Sequence, residues 1–227
     1  MTLAIEKVNT SIEHKLQRGV LEDIANIVEF RSTEWTHHTK RMRKFAKIIL
    51  SHIAVVRPEY KIDSIKVLNA GDAAGLHDIG KIMIPDKILL KPSTLTSEEY
   101  DIMKRHTIYG GDIVRRTIDE LGLPMTHPVC NYYREIYNVT MYHHERFDGS
   151  GYPEGLKGDE IPIEAQVAGI VDVFDSLIDK RRYRESYSFD DAVDLIKRGE
   201  AGEFNPILVD ALITCNQQIK DVIHAYK

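Results

Sequence analysis

The sequence predicts an all-α fold, a bundle of helices. Apolar residues recur at spacings of three and four in one segment after another, no run alternates apolar with polar residues as a half-buried strand would, and helix-capping residues stand at the segment boundaries. With 43% apolar residues among 227, the chain can bury a sizeable core.

In chain order, Ile12, Leu16, Val20, Ile24, Ile27 and Val28 mark an amphipathic helix between Ser11 and Phe30, a packing or dimerisation surface. A second helix is expected from Ser32 or Thr33, both candidate caps. It carries Trp35, His38, Met42, Phe45, Ile49 and Ile53 on one stripe, with Glu34 one turn before His38. Arg57-Pro58 breaks it. Asp63 can cap a third helix that ends, buried, in His77-Asp78, with Gly80 as its stop. A short helical turn is expected from Lys87 to Leu90. Thr96 and Glu99 form a capping box for a helix that turns Tyr100, Met103 and His106 inward and continues to Ile113. A further helix runs from about Pro128 into His143 and His144, and the preceding 119–138 stretch, rich in tyrosine, reads either as a lid or as a contact surface.

Phe147 to Gly158 holds four glycines and Pro153 around Tyr152, a turn-rich loop of functional length. The helical pattern returns from Ile163 to Ile178, with Asp172 and Asp175 inside its apolar stripe. Buried unpaired carboxylates are expensive, so at least one of them needs a cation nearby. Lys180 to Arg184 is a basic cluster, Ser188 caps a helix reaching Arg198, and Asn205-Pro206 opens the last helix.

A formal net charge of −5 argues against coating a nucleic-acid polymer. Cys130 and Cys215 stand far apart, outside any CxxC pattern, which indicates neither a disulfide framework nor a thiolate zinc site and fits a reducing cytoplasm. No stretch is apolar enough for a signal peptide or a membrane span, so a soluble cytoplasmic protein is expected.

Glu34, His38, His77, Asp78, His106, His143, His144 and Asp172 are the inward candidates for metal ligation. Imidazole and carboxylate in this proportion, without thiolate, suit iron, manganese or zinc. Eight ligands are too many for one ion, so two or three ions in a row are expected. His77 and Asp78 either address one metal from two sides, or Asp78 spans two with its two oxygens.

The ordered set resembles the HD-GYP branch of the HD-domain phosphohydrolases. It comprises His77-Asp78-Ile79-Gly80-Lys81, Ile84-Pro85-Asp86, Lys91-Pro92, Leu95-Thr96, Met103 to Thr107, His143 to Pro153, Ile161-Pro162 and Asp172 to Asp175. The resemblance runs from Arg31 to about Val209. It implies an HD-domain helical bundle over 31–227 with a helical extension over 1–30 packed on it and extra C-terminal helices. It also implies a phosphodiesterase that cuts cyclic di-GMP to pGpG and, if the second bond is also cut, to GMP. Carried over by position, His38, His77, Asp78, His106, His143, His144 and Asp172 become ligands of divalent iron or manganese, with zinc as the further choice. Asp78 bridges, and Glu34 favours a third ion. Lys81 falls beside the scissile phosphate, and Arg181 and Arg184 fall where basic residues hold phosphate oxygens. The Gly151-Tyr152-Pro153 loop becomes a surface for substrate or for a GGDEF-type protein partner, and a homodimer is compatible.

A phosphodiester is an anion that resists attack, so the expected chemistry is in-line displacement by a hydroxide bridging two metals. Lys81 would stabilise the transition state or protonate the leaving oxygen. Met83, Ser93, Gln166, Arg182 and Arg184 depart from the usual family residues without removing a ligand. Another cyclic dinucleotide, such as cyclic GMP-AMP, is the alternative substrate. A receptor that binds cyclic di-GMP without turnover is the alternative to an enzyme.

Overall fold

The computed structural model describes residues 19–31, 37–127, 130–179 and 186–226, and among these every regular element is a helix. The first, α1, is helical over the described residues 19–31 and buries Ala25 and Val28. Two long helices form the centre. α2 (His38–Val56) sends Met42, Phe45, Ala46, Ile49, Leu50 and Ile53 into the core, and α8 (Ile163–Ile178) sends Val167, Ile170, Val171 and Phe174 against it. Their contact is anchored by Phe45 and Phe174, with ring centroids 5.7 Å apart and edge to face.

α3 (Ser64–Ala74) packs on α2, and α7 (Asn131–Tyr142) packs on α3, α6 (His106–Glu120) and α8. α9 (Phe189–Lys197) covers α8 through Phe189 on Phe174, while α10 (Pro206–Thr214) and α11 (Asn216–Ala225) close over α2 with Leu208, Leu212 and Ile219. Two shorter helices, α4 (Asp86–Leu89) and α5 (Ser97–Lys104), lie between the His77-Asp78 turn and α6. None of the described helices is long and apolar enough to cross a membrane.

The expected caps form at four helices. Asp63 accepts from the Lys66 amide, the Thr96–Glu99 capping box opens α5, Ser188 accepts from the Asp191 amide, and Asn205 accepts from the Ile207 amide. Several expected boundaries move. α2 starts at His38, not at Ser32 or Thr33; its cap position is His37, in the left-handed region at φ 56°, and residues 32–36 lie outside the described ones. α3 ends at Ala74, where the chain tightens and the Leu76 amide bonds to the Ala73 carbonyl at 2.8 Å, so His77-Asp78 is not part of a helix. Gly80 is not a helix stop. It belongs to a 3-10 helix, Ile79–Met83, and a Cβ there would collide with the His106 carbonyl and the Gly110 amide, which presses this segment against α6. The helix expected to run from Thr96 past Ile113 is broken at Arg105 into α5 and α6, and Tyr100, 50% exposed, does not point inward. The last helix likewise divides at Cys215. In the 119–138 stretch, Tyr132, Tyr133 and Tyr137 pack against the core as partly buried residues.

Candidate metal centre

The segments carrying the candidate ligands meet where helices end. His38 is the first residue of α2, His106 the first of α6, and His143 caps α7 with His144 directly after it. Only Asp172 comes from within a helix, α8. In a regular helix neighbouring side chains diverge by about 100°. In the turn before the 3-10 helix, His77 and Asp78 instead converge, with His77 Nε2 3.1 Å from Asp78 Oδ2. Three groups of ligand atoms result: His106 with His143 and His144, His38 with His77 and Asp172, and between them His77 with Asp78 and His143.

Four of the imidazoles have their tautomer fixed from behind. Nδ1 of His77 lies 2.9 Å from the Ala74 carbonyl, that of His106 2.7 Å from Met103 O, and that of His143 2.9 Å from Val139 O. Nδ1 of His38 lies 2.7 Å from Asp175 Oδ2. Carbonyls and carboxylates only accept, so each Nδ1 donates and each ring turns its Nε2 to the centre. His106 Nε2 and His143 Nε2 stand 3.4 Å apart, two acceptors facing each other. His77 Nε2 and Asp78 Oδ1 are buried with no hydrogen-bond partner. A cation would satisfy such a set.

Asp78 is placed to serve both sides. Its Oδ1 is 3.3 Å from His106 Nε2 and 3.9 Å from His143 Nε2, while its Oδ2 faces His77. Asp172 Oδ1 is 3.7 Å from His38 Nε2 and 3.8 Å from His77 Nε2. Lys81 reaches back from the 3-10 helix to put Nζ 2.6 Å from Asp78 Oδ2. Electrostatics divide the centre. Burial, reinforced by the neighbouring imidazoles, holds His143 and His144 well below the usual histidine range, and burial also lowers His106. Burial opposes the charge on His77 too, but Asp78 and Asp172 outweigh it and push that ring up to about 9. Burial would raise Asp78, yet Lys81 and His77 hold it well below the carboxylate range. These residues fit divalent metal, since His106, His143 and His144 are held neutral and Asp78 ionised, while the carboxylates that favour a positive charge on His77 would favour a cation in place of its proton.

Behind the ligands stand Arg41, Glu145 and Gly169, to which the sequence alone assigned no role. Arg41, buried, donates Nε to Asp175 Oδ1 at 2.6 Å and a terminal nitrogen to Asp179 at 2.9 Å, so Asp175 is neutralised while it orients His38. The apolar stripe around Asp175 signalled the need for a cation, but not that Arg41 supplies it from 134 positions away. Glu145, also buried, accepts from the amides of Glu154 (2.8 Å), Gly155 (3.1 Å) and Leu156 (3.0 Å), which holds the Gly151-Tyr152-Pro153 loop against the centre. Tyr152 stacks on His144 at 4.6 Å and 22°. A Cβ at Gly169 of α8 would lie 2.5 Å from the His143 carbonyl, so this glycine lets the His143-His144 backbone approach the helix. Glu34, Arg181 and Arg184 lie outside the described residues. Described His37, His52, His127 and His224 take no part in the three groups.

The profile of the HD domain family matches residues 19–208. A cyclic di-GMP phosphodiesterase of Thermotoga maritima is 36% identical over 208 residues, covering 92% of this chain and 52% of the relative. A 3'3'-cGAMP-specific phosphodiesterase 2 of Vibrio cholerae is 33% identical over 212 residues, covering 93% of this chain and 37% of the relative. Among solved structures, an HDG"Y"P protein from Bdellovibrio bacteriovorus has a similar fold, with a TM-score of 0.56 at 17% identity over 80% of this chain and 52% of that one. The chain thus spans about half the length, or less, of these relatives. With the His-Asp pair, the distant histidines and the Gly-Tyr-Pro loop gathered at one centre of an all-helical fold, the chain belongs to the HD domain family, in its HD-GYP branch.

Proposed function

We propose that this chain is a metal-dependent phosphodiesterase that hydrolyses cyclic di-GMP to linear pGpG, with GMP following where the second bond is cut. The observation that carries the reading is the buried convergence of imidazole Nε2 atoms on the unpartnered Asp78 oxygen, an arrangement that favours positive charge between them. Two divalent cations would be held, one by His106, His143 and His144, the other by His38, His77 and Asp172, with Asp78 between the two groups. The mixed imidazole and carboxylate set without thiolate suits iron, manganese or zinc, and the resemblance to the HD-GYP branch favours iron or manganese. Glu34 is proposed as the carboxylate of a third ion. When bound, such ions supply the charge that lowers the pKa of water and draws the anionic phosphodiester.

The chain's own groups do the rest. Lys81 is a compact ammonium at the edge of the centre, suited to meet a phosphate oxygen or to protonate the departing sugar oxygen. Tyr152, its ring stacked on His144, borders the substrate and keeps its hydroxyl protonated because burial pushes the phenol up. Arg181 and Arg184 are proposed contacts to phosphate, and the Gly151-Tyr152-Pro153 loop a surface for substrate or a GGDEF-type partner. The likeness to the Vibrio cholerae relative supports 3'3'-cGAMP as the alternative substrate.

The test is anaerobic purification with metal quantification, then incubation with cyclic di-GMP and 3'3'-cGAMP, alone and in competition, with chromatography of the products. Conversion of cyclic di-GMP to pGpG or GMP by protein holding two or more ions per chain is expected. A metal-loaded protein that converts only 3'3'-cGAMP moves the reading to that substrate, and one that converts neither overturns it.

A further inference from the structure

Arg31, at the end of the described α1, does more than cover the core. Its guanidinium donates to three carbonyls of one short segment: NH1 to Lys81 O and Ile82 O, both at 2.9 Å, and NH2 to Ile84 O at 2.7 Å. Asp86 Oδ1 locks the fork in place, at 3.1 Å from Nε and 2.7 Å from NH2. All five contacts span 50 residues or more of sequence and converge on the segment that carries Lys81.

That segment is a five-residue 3-10 helix, a conformation with poor intrinsic hydrogen-bond geometry. On its inner side Gly80 is wedged against the His106 carbonyl. On its outer side Ile82 and Met83 are exposed and bring no apolar anchor. A guanidinium fork that takes three carbonyls at once is therefore what fixes the outer side, and a lysine could not match it. The same helix is tied beside the other group of ligands: Glu29 accepts from the Thr39 amide at 2.6 Å, next to His38, and Glu22 pairs with Arg43 at 2.5 Å.

We propose that Arg31 is a positioning residue for Lys81, and that α1 is the element whose displacement would withdraw Lys81 from the centre. This rests on the reading of Lys81 as a group that acts on the substrate. An input that shifts α1 would change turnover through Lys81.

The experiment compares the full chain with Arg31→Ala, Lys81→Ala and the double variant, measuring metal content, kcat and KM on cyclic di-GMP, and peptide-level hydrogen exchange over residues 79–86. Arg31→Ala is expected to keep its metal, to speed exchange in 79–84 at least about ten-fold, and to lower kcat by roughly 10- to 100-fold with KM little changed. In the Lys81→Ala background it should cost nothing further, because both changes remove one function. Unchanged exchange, an unchanged kcat, or losses that multiply would overturn the proposal. If the wild-type chain turns over no cyclic dinucleotide, the proposed activity fails, and the exchange comparison alone decides whether Arg31 holds the segment. Should Arg31→Ala fail to fold, Asp86→Asn, which frees the fork and leaves the carbonyls intact, must show the same changes at smaller size; their absence overturns the proposal equally.

Discussion

His106 and His143 present their Nε2 atoms to each other at 3.4 Å, and each has already given its Nδ1 proton to a carbonyl. Such a pair is repulsive until a cation lies between, so the centre is built for metal at the level of single protons. The residues behind it matter for the same reason. Asp175 orients His38 and is itself neutralised by Arg41, and Asp175→Asn should weaken metal binding on the order of 10- to 100-fold, read by titration with a competing chelator. Undiminished affinity would show that His38 needs no such support. Lys81→Ala should keep full metal content and a normal melting temperature while kcat falls on the order of 10² or more; loss of metal in that variant would make Lys81 structural. That His38, His77, Asp78, His106, His143, His144 and Asp172 would come together was legible in the sequence, because histidines and carboxylates on apolar stripes are expensive without a partner. The supporting pairs were not, since nothing local links Arg41 to Asp175, or Glu145 to the amides of a loop nine to eleven residues on.

Helices were legible where an apolar stripe is long, as in α8, whose limits match expectation. They were misread where a helix end is set by a neighbour. The lead-in Ala70, Ala73, Ala74 and Leu76 reads as continuous helix, yet the close approach of Gly80 to the His106 carbonyl requires the chain to leave helical geometry beforehand. The break between α5 and α6 at Arg105 belongs to the same contact, seen from the other side. One helix junction carries its own titration. Glu135 of α7 and Glu164 of α8 are both buried; burial first, then Glu164, pushes Glu135 up to about 8, while Lys66, 3.1 Å from Glu164, and Asn138 keep Glu164 low. The folded chain therefore holds a proton on Glu135 that the unfolded chain, with a pKa near 4.5, releases. This contribution to stability is whole below pH 4.5 and is lost as pH rises toward 8, by about 1.4 kcal/mol per pH unit at most. Glu135→Gln cannot release that proton, so its melting temperature relative to wild type should climb between pH 5 and pH 8. A difference that stays constant over that range would contradict the shared-proton arrangement.

At the scale of the molecule, the all-α class and the gathering of distant histidines followed from the sequence, because periodicity sets the elements and the cost of buried polar groups sets which of them meet. The order in which α2, α3, α7 and α8 pack, and the way α1 reaches across to the Lys81 segment, depend on contacts that no spacing encodes. Apart from Asp172, the described candidate ligands come from helix ends or the turn before the 3-10 helix, so the centre is held by separately packed elements, and a bound ion would complete their fit. Metal and function should accordingly stand or fall together at the one residue that faces both groups. The direct measurement is metal content and cyclic di-GMP turnover of Asp78→Ala beside wild type, both purified anaerobically. Loss of at least one ion per chain together with loss of turnover, in a protein that retains its helical circular dichroism, is the predicted result. Turnover that persists in a metal-poor Asp78→Ala protein would contradict the central claim.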